Sequence, residues 1–324
     1  MLREALPERP DLLSRRPACR IRAPDGLVAG AGAPTIQPLP LSTTRNTSMS
    51  PPLSYVRQAG AGPGVVCLHA NASNAGQWRG LMERLSAQYQ VWAVDSHGAG
   101  QGPPWPTDRR LGLHDEVALL EPVFAAAGSA VVLVGHSYGA AVALKAALMH
   151  PGRVRALALY EPTLFGLLDA ESPAPNAADG IRNAVAACEA ALASGDAVAA
   201  AGIFIDYWMG TGAWAATPPA RRPAIVAAIA NVGGWGRALF GEPASRANLA
   251  TIDVPVLLMT GSTSPASSLG VARLLEETLP RCRTQTFAGL GHMGPVTHPE
   301  IVNAAIADFL DTCRLPSTAP VATA

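Results

Sequence analysis

The sequence is poor in the residues that mark several classes of protein. Its 324 residues include five scattered cysteines with no C-x-x-C pair, so neither a zinc site nor a disulfide framework is indicated. The 24 basic and 24 acidic side chains balance, which gives no electrostatic reason to expect nucleic acid or a membrane as a partner. We therefore expect a protein of the reducing cytoplasm, without metal or cofactor, that acts on a small molecule. The oligomeric state is left open.

Residues 1–48 lack the hydrophobic periodicity of the rest and are rich in Pro and Arg. They contain no apolar run long enough for a signal peptide. Met49 is followed by Ser-Pro-Pro and then by a strand-like pattern. We predict that 1–48 is a disordered extension or an over-called reading frame with Met49 as the functional start, and that 315–324 is a disordered tail. An intact mass that includes residues 2–48 would contradict the start at Met49.

Short apolar runs alternate with helical patterns from residue 53 onward. The predicted strands are 53–58, 65–69, 90–95, 130–135, 154–160, 256–260 and 284–287, and the predicted helices are 77–87, 113–127, 140–150, 269–279 and 299–312. Continuous apolar strands that alternate with helices indicate a parallel sheet covered on both faces. The predicted fold class is α/β, with a mostly parallel doubly wound sheet whose core is formed by 49–162 and 250–314.

The alternation stops between 163 and 249, where only helical patterns occur: 180–194, 197–209, 220–230 and 237–248. We interpret this segment as a helical lid over one edge of the sheet. Its aromatic side chains mostly fill the lid's own core, and some face the cleft. The predicted substrate-binding residues are Phe165, Trp208, Trp214 and Trp235.

The most specific motif is Gly135-His136-Ser137-Tyr138-Gly139, which lies between an apolar strand pattern and an Ala-rich helical pattern. This is the G-x-S-x-G arrangement in its strand–turn–helix context. The two glycines give space around a tight turn that exposes the serine hydroxyl. Ser137 is therefore the predicted nucleophile.

A serine hydroxyl needs a base, and the base needs an orienting partner. His292 lies in a Gly-rich loop after the last strand pattern, at the same sheet edge as Ser137, and is the predicted base. Glu161 ends the strand 154–160 at that edge and is the predicted acid. Asp253 precedes its strand and would lie more than about 15 Å away. The alternative is a Ser–His pair with Ser264 bonded to the imidazole.

An oxyanion hole requires two N–H donors that face the tetrahedral intermediate. Tyr138, directly after the nucleophile, is one predicted donor. The second is the N–H of Asn71, in the small-residue loop after strand 65–69.

Taken together, these motifs resemble the α/β-hydrolase superfamily over about residues 53–310, in particular its lidded esterases, carbon–carbon bond hydrolases and cofactor-free haloperoxidases. The resemblance rests on His69-Ala70-Asn71 with Trp78, the 95–100 run, the turn at Ser137, Tyr160-Glu161-Pro162 and Gly291-His292. It implies a lid inserted after the sixth strand of that fold. Two departures are Ala70 for the common Gly and Ser264 for the common Asp. Certain haloalkane dehalogenases place the acid after the sixth strand, which matches Glu161, but their nucleophile is Asp.

The sequence therefore predicts a serine hydrolase that cleaves small carboxylic esters. One alternative is a carbon–carbon bond hydrolase of dienoic keto-acids, which would need a clamp for the substrate carboxylate. The lid offers four arginines for that role: Arg182, Arg221, Arg222 and Arg237. A cofactor-free perhydrolase or haloperoxidase and a non-catalytic ligand receptor on the same fold are further alternatives.

Overall fold

The computed structural model describes residues 53–313. The predictions for 1–48 and 315–324 lie outside these residues. Seven strands form one sheet: β1 (Val56–Ala59), β2 (Gly64–Leu68), β3 (Gln90–Val94), β4 (Val131–His136), β5 (Val154–Tyr160), β6 (Val256–Gly261) and β7 (Cys282–Phe287). The strand order is β1-β3-β2-β4-β5-β6-β7, and every pair is parallel except β1 with β3. The predicted fold class is confirmed.

Fourteen α-helices lie within the described residues. They are α1 (Arg79–Leu85), α2 (Leu113–Ala118), α3 (Glu121–Ala127), α4 (Tyr138–Met149), α5 (Gly166–Glu171), α6 (Asp179–Ala193), α7 (Ala197–Met209), α8 (Ala213–Ala216), α9 (Arg222–Ile229), α10 (Val232–Gly241), α11 (Arg246–Leu249), α12 (Ala266–Thr278), α13 (Gly294–Thr297) and α14 (Pro299–Cys313). No single helix among them is long and apolar enough to cross a membrane, although the bent pair Pro219–Ile229 and Val232–Gly241 meets the length and hydropathy criteria when taken together.

The sheet is buried on both faces, as its apolar strands require. Successive residues of β2 point to opposite sides, so Val65 joins one core cluster and Val66 the other. Helices α1 and α14 cover the first face, and α2, α3, α4 and α12 cover the second. After β2 the chain adds β3 on one side of it, and then adds β4 on its other side. Ligands in such sheets bind near this reversal, at the carboxyl ends of the strands.

Two predicted helices are wrong in their bounds. The pattern 113–127 is broken into α2 and α3, because Pro122 has no N–H to continue the first helix and instead lies in the first turn of the second. The pattern 237–248 is also two helices, α10 and α11, separated around Pro243. Helix α10 begins earlier than predicted and includes Gly234, where a Cβ would lie 2.5 Å from the Trp105 ring. Glycine there permits close packing rather than a turn.

The helical segment between β5 and β6 contains α5 to α11. It follows the fifth of the seven strands described here. Its assignment as a lid stays a prediction.

Candidate active site

Ser137 occupies the turn between β4 and α4. Its backbone has φ 56° and ψ −116°, a strained conformation for a residue with a side chain. A Cβ at Gly135 would lie 2.5 Å from the Cα of Ala140, and one at Gly139 would collide with the carbonyl of Leu68. Both glycines are therefore required for β4 to turn directly into α4 and hold the Ser137 hydroxyl at the sheet edge.

His292 lies in the loop after β7, and its imidazole reaches the serine. The Nε2 atom is 2.9 Å from the Oγ of Ser137. The loop is held by the hydroxyl of Tyr160, which donates to the carbonyl of Gly291 over 2.8 Å. Burial and the neighbouring Glu161 raise the pKa of Tyr160, so this hydroxyl keeps its proton at neutral pH. The predicted nucleophile and base are within hydrogen-bonding distance.

Glu161 follows β5 and completes a chain of three side chains. Its Oε2 is 2.6 Å from Nδ1 of His292. Its Oε1 accepts the Gly261 N–H at 2.7 Å and the Ser264 hydroxyl at 2.5 Å. The backbone of Glu161 has φ 46°, the second strained position at this edge. The carboxylate is fully buried but fully paired, as a buried charge must be.

These contacts fix the direction of each proton. Since the Glu161 carboxylate accepts from Nδ1–H, the neutral imidazole of His292 has a free lone pair on Nε2 for the Ser137 proton. The predicted alternative, in which Ser264 bonds the imidazole, is wrong because that hydroxyl bonds Glu161. The side chain near Nδ1 is instead Ser268, whose Oγ is 3.2 Å away.

Two backbone N–H groups are candidate donors for an oxyanion formed at Ser137. The N–H of Tyr138 is the first of α4 and has no partner within the helix. In the loop after β2, the N–H of Ala70 already donates to Oε1 of Gln77 at 3.2 Å. Asn71, the next residue, lines the same cavity as Ser137, so its N–H is the candidate second donor.

A second hydrogen-bond chain joins the loops that carry these groups. Because Oε1 of Gln77 accepts from Ala70, its Nε2 faces His136 Nδ1 at 3.1 Å and donates to it. The Nε2–H of His136 then donates to the carbonyl of His292 over 2.8 Å. Burial, and secondarily the charge on His292, lowers the pKa of His136 well below its ordinary value. A neutral His136 ring therefore connects the base loop to the oxyanion loop.

A small, mostly apolar cavity lies against Ser137. Its apolar wall includes three of the predicted substrate-binding residues, Phe165, Trp208 and Trp235. Its volume is about 30 Å³, which is room for about two water molecules. Asn71, Ser137, Thr163 and His292 are the polar residues in its lining, and no Asp, Glu, Lys or Arg is among the residues that line it.

Trp208 separates this cavity from the surface. Its indole stacks on the His292 ring, with centroids 4.0 Å apart and the planes tilted by 25°. An open groove of about 570 Å³ lies on the other side and shares Trp208, His292 and Met293 with the cavity. Ser137 is only 5% exposed, so its hydroxyl is largely shielded from solvent.

The prediction that Trp214 binds substrate is wrong. Its ring lies under the guanidinium of Arg222, 5.2 Å from the ring centroid, and packs against Gly202. It is absent from the cavity lining, and α8, which carries it, packs on α7 away from Ser137. A tryptophan count in the sequence does not distinguish an outer from an inner helix face.

The four arginines that the sequence offers as a carboxylate clamp also lie away from the cavity. Arg182 pairs with Asp169, and Arg237 pairs with Glu189. Arg222 donates to backbone carbonyls, and Arg221 is exposed. None of them lines the space beside Ser137.

Sequence reasoning missed Gln77, Thr163 and Ser268, whose side chains lie next to the site. Each is an uncharged residue without a recognisable motif of its own. Only the trace of the chain brings them there, since Gln77 is 59 residues from its partner His136 and Ser268 is 24 from His292. No pattern in the sequence signals these contacts.

The chain is similar in sequence to a known protein family and to individual proteins. The family described as the alpha/beta hydrolase fold matches residues 63–299. A pimeloyl-[acyl-carrier protein] methyl ester esterase of Edwardsiella ictaluri is 30% identical over 259 residues, which cover 76% of this chain and 93% of that protein. A 2-(acetamidomethylene)succinate hydrolase of Mesorhizobium japonicum is 28% identical over 263 residues, covering 79% of this chain and 91% of that protein.

A solved structure is also similar to this chain. An alpha/beta hydrolase from Sphaerobacter thermophilus is similar with a TM-score of 0.60 and 26% sequence identity. The match covers 79% of this chain and 95% of that one. The similarity thus spans both the sheet and most of the helices around it.

Proposed function

We propose that this chain, which belongs to the α/β-hydrolase fold family and is a hydrolase, cleaves small carboxylic esters through an acyl-enzyme on Ser137. The observation that carries the proposal is the continuous contact from Ser137 Oγ to His292 Nε2 at 2.9 Å and from His292 Nδ1 to Glu161 Oε2 at 2.6 Å. A similar chain named as a methyl ester esterase supports the ester class.

Acylation follows from this geometry. Ser137 Oγ attacks the ester carbonyl while Nε2 of His292 takes its proton, and the Glu161 carboxylate stabilises the imidazolium that forms. The N–H groups of Tyr138 and Asn71 bind the oxyanion, each contributing about 3–4 kcal/mol to the barrier reduction. The imidazolium then protonates the leaving alkoxide, and the C–O bond breaks to leave the acyl group on Ser137.

Deacylation uses the same groups in reverse. Water enters on the side the alcohol has left, Nε2 of His292 accepts one of its protons, and the hydroxide attacks the acyl carbonyl. Collapse of the second tetrahedral intermediate returns the proton to Ser137 Oγ and releases the carboxylic acid. The open groove beyond Trp208 offers the alcohol a path from the site.

The cavity supports an ester over a dienoic keto-acid. Carbon–carbon bond hydrolysis of such a substrate requires a group that binds its carboxylate, and the cavity lining contains no cationic side chain. The arginines of the helical segment are paired, bonded to backbone or exposed elsewhere. An anion in this apolar space would lose its hydration without gaining a partner.

Substitution of the nucleophile tests the proposal. We expect Ser137→Ala to lower kcat for 4-nitrophenyl butyrate by about 10⁶-fold, as loss of the serine does in triad enzymes. Ser129→Ala, at an exposed serine that precedes β4 and so lies at the opposite end of that strand from Ser137, is the matched control and should keep wild-type rates. Equal rates for Ser137→Ala and wild type would overturn the acyl-enzyme proposal.

A further inference from the structure

Thr163 has the one side-chain hydroxyl in the cavity lining, apart from Ser137, and that hydroxyl has no partner. The residue is 1% exposed, and among the described residues no atom is within hydrogen-bonding distance of its Oγ1. Its backbone is already bonded: the N–H donates to the carbonyl of Ser137 at 3.4 Å, and the carbonyl accepts from Phe165 at 2.9 Å. Only the hydroxyl is left for another partner.

An unpaired buried hydroxyl is unfavourable in the folded protein, and most such groups find a partner. Local pairing is the usual solution for threonine, whose hydroxyl commonly bonds a nearby backbone carbonyl. Thr217, Thr251 and Thr278 all do so in this chain. Thr163 does not, although it is held against the nucleophile's own backbone.

The surroundings restrict what the partner can be. The cavity wall around Thr163 is formed by Phe165, Trp208, Trp235 and aliphatic side chains, with no charged residue. A carboxylate on the acyl chain would meet a few neutral polar groups and no cationic side chain, which does not compensate its desolvation. A neutral oxygen needs only one hydrogen bond, which a hydroxyl supplies as donor or acceptor.

We propose that Thr163 is a specificity-determining residue that hydrogen-bonds an oxygen atom of the acyl group. This inference rests on the proposed ester hydrolysis and names its substrate class: esters of short, uncharged acids that have an ether, hydroxyl or keto oxygen near the carbonyl. The small cavity limits the acyl length, and Thr163 selects the oxygen-substituted chain over the plain hydrocarbon.

Matched esters test the assignment. Wild type and Thr163→Val are compared on 4-nitrophenyl esters of methoxyacetic and butyric acid, which differ by one oxygen for one CH₂, and on the 3-hydroxybutyrate and isovalerate pair. Valine keeps the shape of threonine and removes the hydroxyl, so the rates of Thr163→Val report the intrinsic reactivity of each ester. Dividing the wild-type rates by these rates leaves the contribution of the hydroxyl. We expect the oxygenated-to-hydrocarbon ratio of kcat/KM to fall by about 10-fold or more in Thr163→Val for at least one pair.

Two variants serve as controls. Thr163→Ser restores the hydroxyl and should recover most of the wild-type ratio. Thr286→Val makes the same chemical change at an exposed threonine of β7 and should leave the ratio unchanged. If Thr163→Val changes the ratio less than twofold for both pairs, or lowers all four rates equally, the hydroxyl does not distinguish oxygenated from hydrocarbon acyl groups. The proposal is then wrong.

A binding measurement keeps the inference separate from the proposed function. In Ser137→Ala, which retains Thr163, the methoxyacetate ester should bind about 10-fold more tightly than the butyrate ester, and Ser137→Ala/Thr163→Val should bind the two alike. Equal binding of both esters by Ser137→Ala would overturn the inference. Loss of all hydrolysis by wild type with this binding preference intact would instead overturn the esterase proposal.

Discussion

The sheet core and the helical segment 163–249 contribute to the same cavity in different ways. Ser137, His292 and Glu161 all come from loops at the carboxyl ends of strands, and their contacts are polar and directional. The helical segment contributes an apolar wall that includes Phe165, Trp208 and Trp235. In our account the core determines the reaction, and the helical segment determines which acyl group is accepted.

The two regions also differ in how well their residues tolerate substitution. The core site contains strained backbones at Ser137 and Glu161, and the side-chain polar atoms of Ser137, His292 and Glu161 each have a specific partner. The wall residues interact through area and shape, which other apolar side chains can partly supply. Substitutions in the core site should therefore abolish activity, whereas substitutions in the wall should change rate and selectivity.

The largest difference should come from Glu161→Gln. Oε1 accepts two hydrogen bonds, from Gly261 and Ser264, so the amide oxygen of Gln takes this place and its NH₂ faces Nδ1 of His292. The imidazole then carries its proton on Nε2 and cannot accept one from Ser137. We expect kcat for 4-nitrophenyl butyrate to fall by about 10³–10⁴-fold.

The matched control is Glu83→Gln, at an exposed position of α1, which should hydrolyse the ester at the wild-type rate. Near-normal kcat in Glu161→Gln would show that Ser137 and His292 act without a carboxylate. That result would contradict the expectation that the core, unlike the wall, does not tolerate substitution, because the core would then tolerate loss of a specific polar contact.

A smaller effect should follow from Trp208→Ala in the wall. Loss of the indole removes the aromatic face on which the His292 imidazolium is stacked and opens the cavity to the groove. An aromatic face is worth about 0.5–2 kcal/mol to a cation, so kcat for the butyrate ester should fall by about 10-fold. The kcat for esters of longer acids should rise relative to the kcat for the butyrate ester.

Trp214→Ala provides the comparison, because this tryptophan belongs to the same helical segment but lies outside the cavity. Its kinetics should match wild type on both short and long esters. If Trp214→Ala shifts acyl preference as much as Trp208→Ala, the wall has been assigned to the wrong helix face.

The sequence predicts the core site far better than the wall. A strained turn at Ser137 requires glycine on both sides, and a strand-end loop delivers His292 to the same edge, so short-range patterns locate both residues. Glu161 required an argument from strand order, since the usual position holds Ser264. These inferences depend on local rules and on the parallel sheet, which the alternating pattern specifies.

The wall depends on how helices pack, and no local rule gives that. Trp208 and Trp214 are six residues apart, yet one stacks on the His292 ring and the other packs between Gly202 and Arg222, outside the cavity. Thr163 and Gln77 belong to no motif, and their roles become visible only from burial and hydrogen-bond partners. Side-chain direction in a helical segment of short, broken helices must be observed.

Fluorophosphonate labelling tests the central claim, that the core presents a single activated serine, most directly. The probe forms a covalent bond with a serine that has a functional base, independent of which acyl group the wall accepts. We predict one label per wild-type chain, located on the peptide that contains Ser137, and no label on Ser137→Ala. Equal labelling of the two proteins, or a label on a different serine, would contradict the account.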